Sequence, residues 1–148
     1  MNIITVTENQ LGLLAPLFND YRMFYEKESD VEGATAFLKE RIINKESTIF
    51  LAMIDAQPVG FVQLYPVFSS VAMQRAYILN DLFVASSARK SGVGQALMEK
   101  AFAFCQSENA RYVMLETDLS NKKAQALYEK MGMVVNPEVL FYVKGLAD

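Results

Sequence analysis

An apolar strand, a short polar loop and an amphipathic helix follow one another between Leu79 and Met98. The loop carries two glycines, Gly92 and Gly94, where the helix is expected to begin. A helix start offers backbone N–H groups that have no internal partner, and the helix dipole adds roughly half a positive charge there. Glycine lets an anionic group approach the backbone closely, so this segment predicts a cradle for a phosphate-bearing ligand.

Two common phosphate-binding patterns do not fit this loop. The P-loop pattern G-x-x-x-x-G-K-[ST] does not occur, and G-x-G-x-x-G fails because Leu97 occupies its third glycine position. A nucleotide-binding regulatory domain is therefore disfavoured. A Gly-x-Gly pair alone is a weak sign of phosphate binding, so the identity of the ligand depends on the rest of the chain.

Hydrophobic periodicity predicts strands and helices along the whole chain. Strands are expected at residues 2–6, 47–54, 59–66, 76–84, 112–117 and 139–145, and helices at residues 11–25, 29–43, 93–105 and 121–131. Ser29 and Glu32 have the spacing of a capping box at the start of the second helix. The order βααβββαβαβ predicts an α/β (α+β) fold with a mixed sheet and helices on both faces.

Length and composition restrict the classes of protein that remain. The 148 residues, 52% hydrophobic and 21% charged, are expected to form a single domain over residues 1–148. No apolar run approaches the ~20 residues of a membrane-spanning helix, and no secretory signal is visible, so we expect a cytoplasmic protein without a membrane partner. The net charge of -3 and the lack of a basic stripe argue against nucleic acid as a partner.

The side chains that the sequence lacks exclude several kinds of catalysis. The chain has no histidine and a single cysteine, Cys105. Ser-His-Asp, Cys-His and His-ligated zinc chemistry, thiolate-rich metal sites and an intramolecular disulfide are excluded, and we expect no metal. Cys105 is interpreted as a small residue that packs within its helix layer.

Two motifs carry a resemblance to a known family. Residues 89–94, RKSGVG, match an Arg/Gln-x-x-Gly-x-Gly/Ala signature, and the DLFV that precedes them is typical of the same motif. Residues 121–133 are similar to Asn-x-x-Ala-x-x-Leu-Tyr-x-x-x-Gly-Phe, with Met133 in place of Phe. Both are motifs of the GNAT superfamily of acyl-CoA-dependent N-acetyltransferases. ILNDLFV most resembles the branch that acetylates polyamines, histone tails and amino acids.

The resemblance implies a GNAT-like acyl-CoA N-acyltransferase fold, with a centrally splayed sheet and acetyl-CoA as cosubstrate. The pantetheine arm would lie between two splayed strands, and the diphosphate would lie on the glycine loop. The residues implied in binding acetyl-CoA are Leu82, Phe83, Val84, Arg89, Lys90, Ser91, Gly92, Val93, Gly94, Gln95, Asn121, Ala124 and Tyr128.

The reaction that the resemblance implies is direct attack of a neutral amine on the acetyl carbonyl. Tyr128 would be the general acid, because a phenol with a pKa near ~10 can protonate a departing thiolate of similar basicity. Asn80 stands where related polyamine enzymes carry glutamate, and it is a candidate catalytic position although an amide cannot take the proton. Glu116 or Asp118 acting through water, or no dedicated base, are the alternatives.

The acceptor pocket is expected from the first helices and from the strand that carries Asn80. The residues predicted to bind the acceptor are Tyr21, Tyr25, Glu28, Asn80 and Glu116. Gln63 and Tyr65 alternate onto one face of their strand and are further candidates for the lining of this pocket.

Structural roles compete with these functional ones at several positions. Tyr128 lies on the apolar stripe of its helix and would by sequence alone be a core residue. Asn121 precedes that helix and is a suitable N-cap. Asp81 is open between a buried structural carboxylate and a catalytic one. Lys90 stands where glycine is common in the family.

The leading functional hypothesis is an N-acetyltransferase for the primary amine of a small molecule, such as a polyamine or an amino acid. A protein or peptide amine is the alternative acceptor. A non-catalytic acyl-CoA sensor is the rival from another class, favoured by Asn80 and disfavoured by Tyr128. A homodimer is expected because members of the family often dimerise and because the C-terminal segment around Val139 to Val143 is apolar.

Overall fold

The computed structural model describes residues 1–147, which divide into two compact units. The first unit comprises residues 1–116 and the second begins at Thr117. Among residues 1–147, none of the helices combines the length and the apolar character needed to cross a bilayer. A single domain over residues 1–148 stays a prediction.

The first unit contains five strands and three α-helices. The strands are β1 (Asn2–Thr5), β2 (Thr48–Ile54), β3 (Gln57–Ser69), β4 (Gln74–Val84) and β5 (Val113–Met114), and the helices are α1 (Leu11–Phe24), α2 (Val31–Ile43) and α3 (Val93–Ser107). The predicted order of elements is confirmed for this unit. β5 is shorter than the strand predicted at residues 112–117.

The strands form one mixed sheet in the order β1-β2-β3-β4-β5. β1 to β4 pair antiparallel, and β5 pairs parallel with β4. Leu51 of β2 packs in a buried cluster with Leu14 of α1 and Leu38 of α2, whereas the ring of its neighbour Phe50 lies 5.7 Å from the ring of Phe104 in α3. Successive strand residues point to opposite faces, so the mixed sheet with helices on both faces is confirmed.

The start of α3 is held against β3 at Gly60. A Cβ at this position would lie 2.9 Å from the carbonyl oxygen of Phe83 and 2.9 Å from Cγ1 of Val93. Only a residue without a side chain allows this close approach. Gly60 therefore fixes the start of α3 beside the last residues of β4.

The splay that the resemblance implied lies between β4 and β5, the last two strands of the described sheet, and not at its centre. β4 pairs with β5 only at Tyr77 with Val113 and at Ile78 with Met114. From residue 79 to residue 84, the edge of β4 that faces away from β3 has no strand partner among residues 1–147. This open edge leaves room for an extended ligand to pair with β4.

β4 also carries a β-bulge. Gln63 of β3 pairs with Asp81, and the next residue, Leu64, pairs with Leu79. Asn80 is therefore an extra residue with no counterpart on β3. A bulge bends its strand and changes the direction of the side chains beside it, and bulges are common next to active sites.

The capping box predicted at Ser29 and Glu32 is wrong. The N-cap of α2 is Asp30, whose carboxylate accepts a hydrogen bond of 2.8 Å from the backbone N–H of Gly33. Ser29 instead accepts a bond of 3.1 Å from Nδ2 of Asn19, a buried residue of α1, and Oδ1 of Asn19 accepts the backbone N–H of Asp30 at 2.8 Å. The Ser29 hydroxyl ties the loop to α1, which leaves the capping role to the next residue.

The second unit contains the helix α4 (Lys122–Lys130). Its N-cap is Asn121, whose Oδ1 accepts a bond of 3.2 Å from the backbone N–H of Ala124. The closing strand predicted at residues 139–145 is wrong for this structure, since these residues form no strand. A strand forms only where a neighbouring backbone pairs with it.

Candidate functional site

The loop before α3 presents an uncapped helix start. Gly92 is the N-cap in the left-handed conformation, with φ 81°, and no side chain caps the helix. The first helical bond runs from the N–H of Ala96 to the carbonyl of Gly92, at 3.0 Å. The N–H groups of Val93, Gly94 and Gln95 therefore have no acceptor within the helix. Such a cluster of donors is suited to hold an anion.

Two side-chain bonds fix the shape of this loop. Nε of Arg89 donates a hydrogen bond of 3.2 Å to the carbonyl oxygen of Val84, and the hydroxyl of Ser91 donates to the carbonyl oxygen of Ala88. Lys90 is exposed and adopts φ 69°, a left-handed conformation that costs a non-glycine residue about 1–2 kcal/mol. Glycine would adopt this conformation without that cost.

The open edge of β4 presents backbone groups at alternate residues. The N–H of Ala85 donates to the carbonyl oxygen of Val59 at 2.8 Å, so the backbone of residue 85 faces β3. Because backbone groups alternate in direction along a strand, Phe83 also faces β3, and the N–H groups of Leu82 and Val84 face the open edge. Of the three residues expected to pair with pantetheine, these two offer donors in the right direction.

A buried carboxylate, that of Asp81, lies in the same segment of β4 and contacts α1. Asp81 is 5% exposed. Its Oδ1 accepts a bond of 2.8 Å from the hydroxyl of Tyr21 and one of 3.1 Å from Nδ2 of Asn80, while its Oδ2 accepts from Nε2 of Gln63. Burial raises the pKa of Asp81, and the three hydrogen bonds, that from Gln63 foremost, oppose the rise.

Gln63 binds this carboxylate, and Tyr65 is close enough to feel its charge. Their predicted place in the lining of the acceptor pocket stays a prediction. Oε1 of Gln63 is buried and has no hydrogen-bond partner among the described residues. Burial raises the pKa of the Tyr65 phenol to about 12, the charge of Asp81 adds to the rise, and Arg41 opposes it. The cluster is therefore polar, buried and poor in compensating positive charge.

An aromatic rim stands next to Asp81 and consists of Tyr21, Phe24, Tyr25 and Phe83. The ring of Tyr21 lies 5.2 Å from that of Tyr25 and 5.8 Å from that of Phe83. Phe24 and Tyr25 are more than half exposed, so the rim reaches solvent. Aromatic faces beside a carboxylate form a favourable environment for an ammonium group.

The structure brings only some of the predicted acceptor residues together. Tyr21 and Asn80 both contact Asp81, and Tyr25 contacts Tyr21. Glu28 is exposed in the loop after α1, and its backbone oxygen accepts a bond of 3.4 Å from Arg22. Glu116, the last residue of the first unit, is exposed beyond the end of β5.

The Asp118 carboxylate and the Cys105 thiol are both poorly suited to accept a proton near neutral pH. Hydrogen bonds from the side chain and the backbone of Ser120 lower the pKa of Asp118, which makes this carboxylate a weaker base. Burial, together with the charge of Glu108, raises the pKa of Cys105 to about 11, so its thiol stays protonated near neutral pH. Cys105 is 2% exposed, and its packing role is confirmed.

The remaining predicted residues belong to the second unit. Asn121 is the N-cap of α4, so its predicted capping role is confirmed. Tyr128 lies in α4 and is partly buried. The contacts of Asn121, Ala124 and Tyr128 with acetyl-CoA stay predictions.

The sequence left two roles open for Asp81, a buried structural carboxylate and a catalytic one. Its signal was a carboxylate inside an apolar strand. Its partner Tyr21 lies 60 residues away in sequence, so no local pattern joins the two.

Comparison with known proteins identifies the family. Residues 14–133 match the model of the acetyltransferase (GNAT) family. This chain belongs to the GNAT family. Within it, the chain is 47% identical over 132 residues to an uncharacterised N-acetyltransferase of Bacillus subtilis, YhfO, with 89% of each chain covered.

Two further GNAT relatives cover nearly the whole chain. A probable acetyltransferase of Haemophilus influenzae is 30% identical over 139 residues, with 93% of each chain covered. The crystal structure of another probable acetyltransferase is 39% identical, covers 100% of this chain and 99% of its own, and superposes with a TM-score of 0.96. The GNAT domain and these relatives make the protein an acyl-CoA-dependent acetyltransferase.

Proposed function

We propose that this GNAT protein transfers the acetyl group of acetyl-CoA to the primary amine of a small, cationic molecule. The observation that carries the proposal is the buried Asp81 carboxylate, held by Tyr21, Asn80 and Gln63 beside the aromatic rim. A carboxylate shielded from water attracts an ammonium group more strongly than an exposed one. The rim adds attraction between the cation and the aromatic faces.

Acetyl-CoA fits the chain's own groups at two places in the first unit. The uncapped N–H groups at the start of α3, with Arg89 and Lys90 in the loop before them, suit its diphosphate. The outward N–H groups of Leu82 and Val84 suit an extended amide-bearing arm. Bound there, acetyl-CoA supplies an activated acyl group to the acceptor.

Asn80 takes the position nearest to the acceptor in this proposal. It is exposed, and its Nδ2 is committed to Asp81, so its carbonyl oxygen Oδ1 is left to accept a hydrogen bond from the amine. Asp81 orients the amide and supplies the negative charge behind it. Asn80 cannot take a proton, but in this arrangement it binds and orients the nucleophile.

Tyr128 is proposed to donate the proton that the departing thiolate takes up, because its motif resembles that of the family. Direct attack requires a neutral amine, and no side chain of the cluster forms a covalent intermediate. The Asp81 carboxylate favours binding of the ammonium form, which loses one proton to water before the neutral amine attacks the acetyl carbonyl. As the C–S bond breaks, the thiolate takes the proton of Tyr128, and the nitrogen gives up its second proton to water, from which the phenol is reprotonated. We also propose a cytoplasmic homodimer in which the two units form one domain.

The test is acetyl-CoA-dependent release of free thiol with a panel of diamines, polyamines, amino acids and basic peptides. The acetylated product is identified by mass. Turnover with a small amine that falls at least about tenfold in Tyr128→Phe supports both the acceptor class and the general acid. Turnover with peptides alone would move the acceptor to a protein amine, and undiminished activity in the variant would remove Tyr128 from the mechanism.

A further inference from the structure

A cavity of about 270 Å³ lies in the first unit, at the end of the sheet where β4 begins. Arg75 and Tyr77 of β4 line it, whereas Leu82 and Val84 stand near the other end of the same strand. At about 3.3 Å per residue, the strand rises about 23 Å from Arg75 to Leu82. The cavity is therefore separate from the groups that suit acetyl-CoA.

The lining of this cavity combines an apolar surface with polar and charged groups. Five of its residues are apolar, among them Phe104 of α3. The polar and charged ones are Lys45, Ser47, Thr48, Arg75, Tyr77 and Glu108. At about 30 Å³ for each water, the space equals that of about nine waters. It suits a small organic molecule of about ten non-hydrogen atoms.

Two hydroxyl groups of the lining can donate into the cavity. The hydroxyl of Ser47 is buried and has no hydrogen-bond partner among residues 1–147. Buried polar groups in proteins are nearly always hydrogen-bonded, so this hydroxyl calls for a partner. Tyr77 is 2% exposed, and its phenol oxygen accepts a bond of 3.5 Å from Arg75, which leaves its proton to donate.

Lys45 is held in a conformation that suits glycine better than lysine. The N–H of Lys45 donates to the carbonyl of Ile42 at 3.2 Å, and the N–H of Glu46 donates to the carbonyl of Arg41 at 2.9 Å. These two bonds end α2 in a Schellman motif, with Lys45 at φ 54° in the position that glycine usually takes. Strained residues of this kind cluster at ligand sites.

The charged groups of the lining leave one positive charge in excess. Lys45 and Arg75 are cations and Glu108 is an anion, and within residues 1–147 neither cation forms an ion pair with Glu108. Glu46, which follows Lys45, is already bound by Arg41 at 3.1 Å. A carboxylate carries one negative charge and matches this excess, whereas a phosphate monoester carries about 1.5–2 near neutral pH.

We propose that this cavity binds a small carboxylic acid with an apolar body. The carboxylate accepts a hydrogen bond from the hydroxyl of Ser47 and is attracted by Lys45 and Arg75. The apolar body packs against the apolar part of the lining, which includes Phe104. This site goes beyond the acetyl transfer and does not depend on which amine is acetylated.

The test uses fluorine NMR of para-fluorobenzoate titrated with the full chain. The neutral para-fluorobenzamide has the same ring and serves as the comparison ligand. The acid is expected to bind saturably and at least about tenfold more tightly than the amide, because the amide lacks the charge that the two cations attract. Acetyl-CoA should not displace the acid, since the two sites lie at opposite ends of β4.

Two variants test the groups assigned to the carboxylate. Ser47→Ala should weaken binding of the acid about fivefold, the usual effect of one hydrogen bond. Lys45→Gly should weaken it at least about threefold and raise the midpoint of thermal unfolding, because it removes the ammonium group and also relieves the left-handed strain. A residue that matters only to the fold would not combine these two changes.

Asn109→Gly is the matched control for the lysine variant. Asn109 has φ 56° at the end of α3, where its N–H donates to Gln106 and the N–H of Ala110 donates to Cys105, both at 3.0 Å. The backbone arrangement is the same as at Lys45, but Asn109 does not line the cavity. This variant should leave the affinity for the acid unchanged.

Four results would overturn the proposal. They are the lack of saturable binding of the acid up to about 10 mM, equal affinities for the acid and the amide, unchanged binding in both Ser47→Ala and Lys45→Gly, and displacement of the acid by acetyl-CoA. Thiol release with the amine panel is measured separately. Its failure contradicts the proposed function and leaves the carboxylate site standing.

Discussion

The hydroxyl of Tyr21 donates a hydrogen bond of 2.8 Å to Oδ1 of Asp81, joining α1 to the bulged segment of β4. The two residues are 60 positions apart in sequence. Their contact brings a phenol, a buried carboxylate and the exposed amide of Asn80 into one cluster. The predictions below follow from this cluster and from the two glycines that place α3.

Replacing the carboxylate of Asp81 is expected to stabilise the fold at neutral pH. Burial raises its pKa above the ordinary 3.8, so the folded protein holds this proton more tightly than the unfolded chain. The stability linked to Asp81 is therefore highest below about 3.8 and falls as pH rises through the folded pKa. In Asp81→Asn the new amide can donate to Oε1 of Gln63, which has no partner in the wild type.

The measurement is thermal unfolding of wild type and Asp81→Asn between pH 4 and pH 8. The variant should have the higher midpoint at pH 8 and a flatter dependence on pH. A variant that is less stable than wild type by the same amount at every pH would show that the raised pKa is not a source of instability.

Tyr21→Phe keeps the ring of the aromatic rim and removes the donor to Asp81. A hydrogen bond to a charged group contributes about 1.5–3 kcal/mol, so the ionised form of Asp81 loses that support. The pKa of Asp81 should rise further, and the acidic limb of the profile of kcat/KM against pH should move to higher pH. Tyr25→Phe, which changes an exposed ring of the same rim, is the control. Equal shifts in both variants would contradict a specific role for Tyr21.

Gly60→Ala is expected to destabilise the fold and weaken acetyl-CoA binding. Its Cβ would lie 2.9 Å from a backbone oxygen and from Val93, and overpacking of this kind typically costs about 1–3 kcal/mol. Gly12→Ala in α1 is the matched control, since nothing lies within 4 Å of its Cβ. That change should stabilise the helix by up to about 1 kcal/mol. Chemical denaturation and titration with acetyl-CoA report both effects.

Gly92→Ala is expected to weaken acetyl-CoA binding through the backbone alone. Gly92 has φ 81°, and no atom lies within 4 Å of an added Cβ, so steric contact is not the cause. A left-handed conformation costs alanine about 1–2 kcal/mol, which favours rearrangement of the loop. Gly92→Asn should bind more tightly than Gly92→Ala, because asparagine tolerates this conformation. Equal affinities in calorimetry would contradict the argument.

The elements and the cofactor loop were predictable because their signals are local. The change from strand to helix periodicity and the glycines at residues 92 and 94 lie within one short segment, and the structure has an uncapped helix start there. The order of elements in the first unit followed from the same kind of pattern.

The errors and omissions have a common physical origin in contacts distant in sequence. The cap of α2 moved from Ser29 to Asp30 because Asn19 of another helix binds Ser29. The role of Asp81 depends on Tyr21, which no spacing rule connects to it. The bulge at Asn80 is set by the register of β4 with β3, which the sequence of β4 alone does not specify.

The most direct test of the account compares kcat/KM of wild type and Asp81→Asn with a small diamine, alongside titration of both proteins with acetyl-CoA. We expect the wild type to turn over the diamine and Asp81→Asn to have a kcat/KM at least about tenfold lower. The affinity for acetyl-CoA should be unchanged, because the charge of Asp81 acts on the acceptor and not on acetyl-CoA. Equal kcat/KM in the two proteins would contradict the claim that the buried carboxylate recognises the amine.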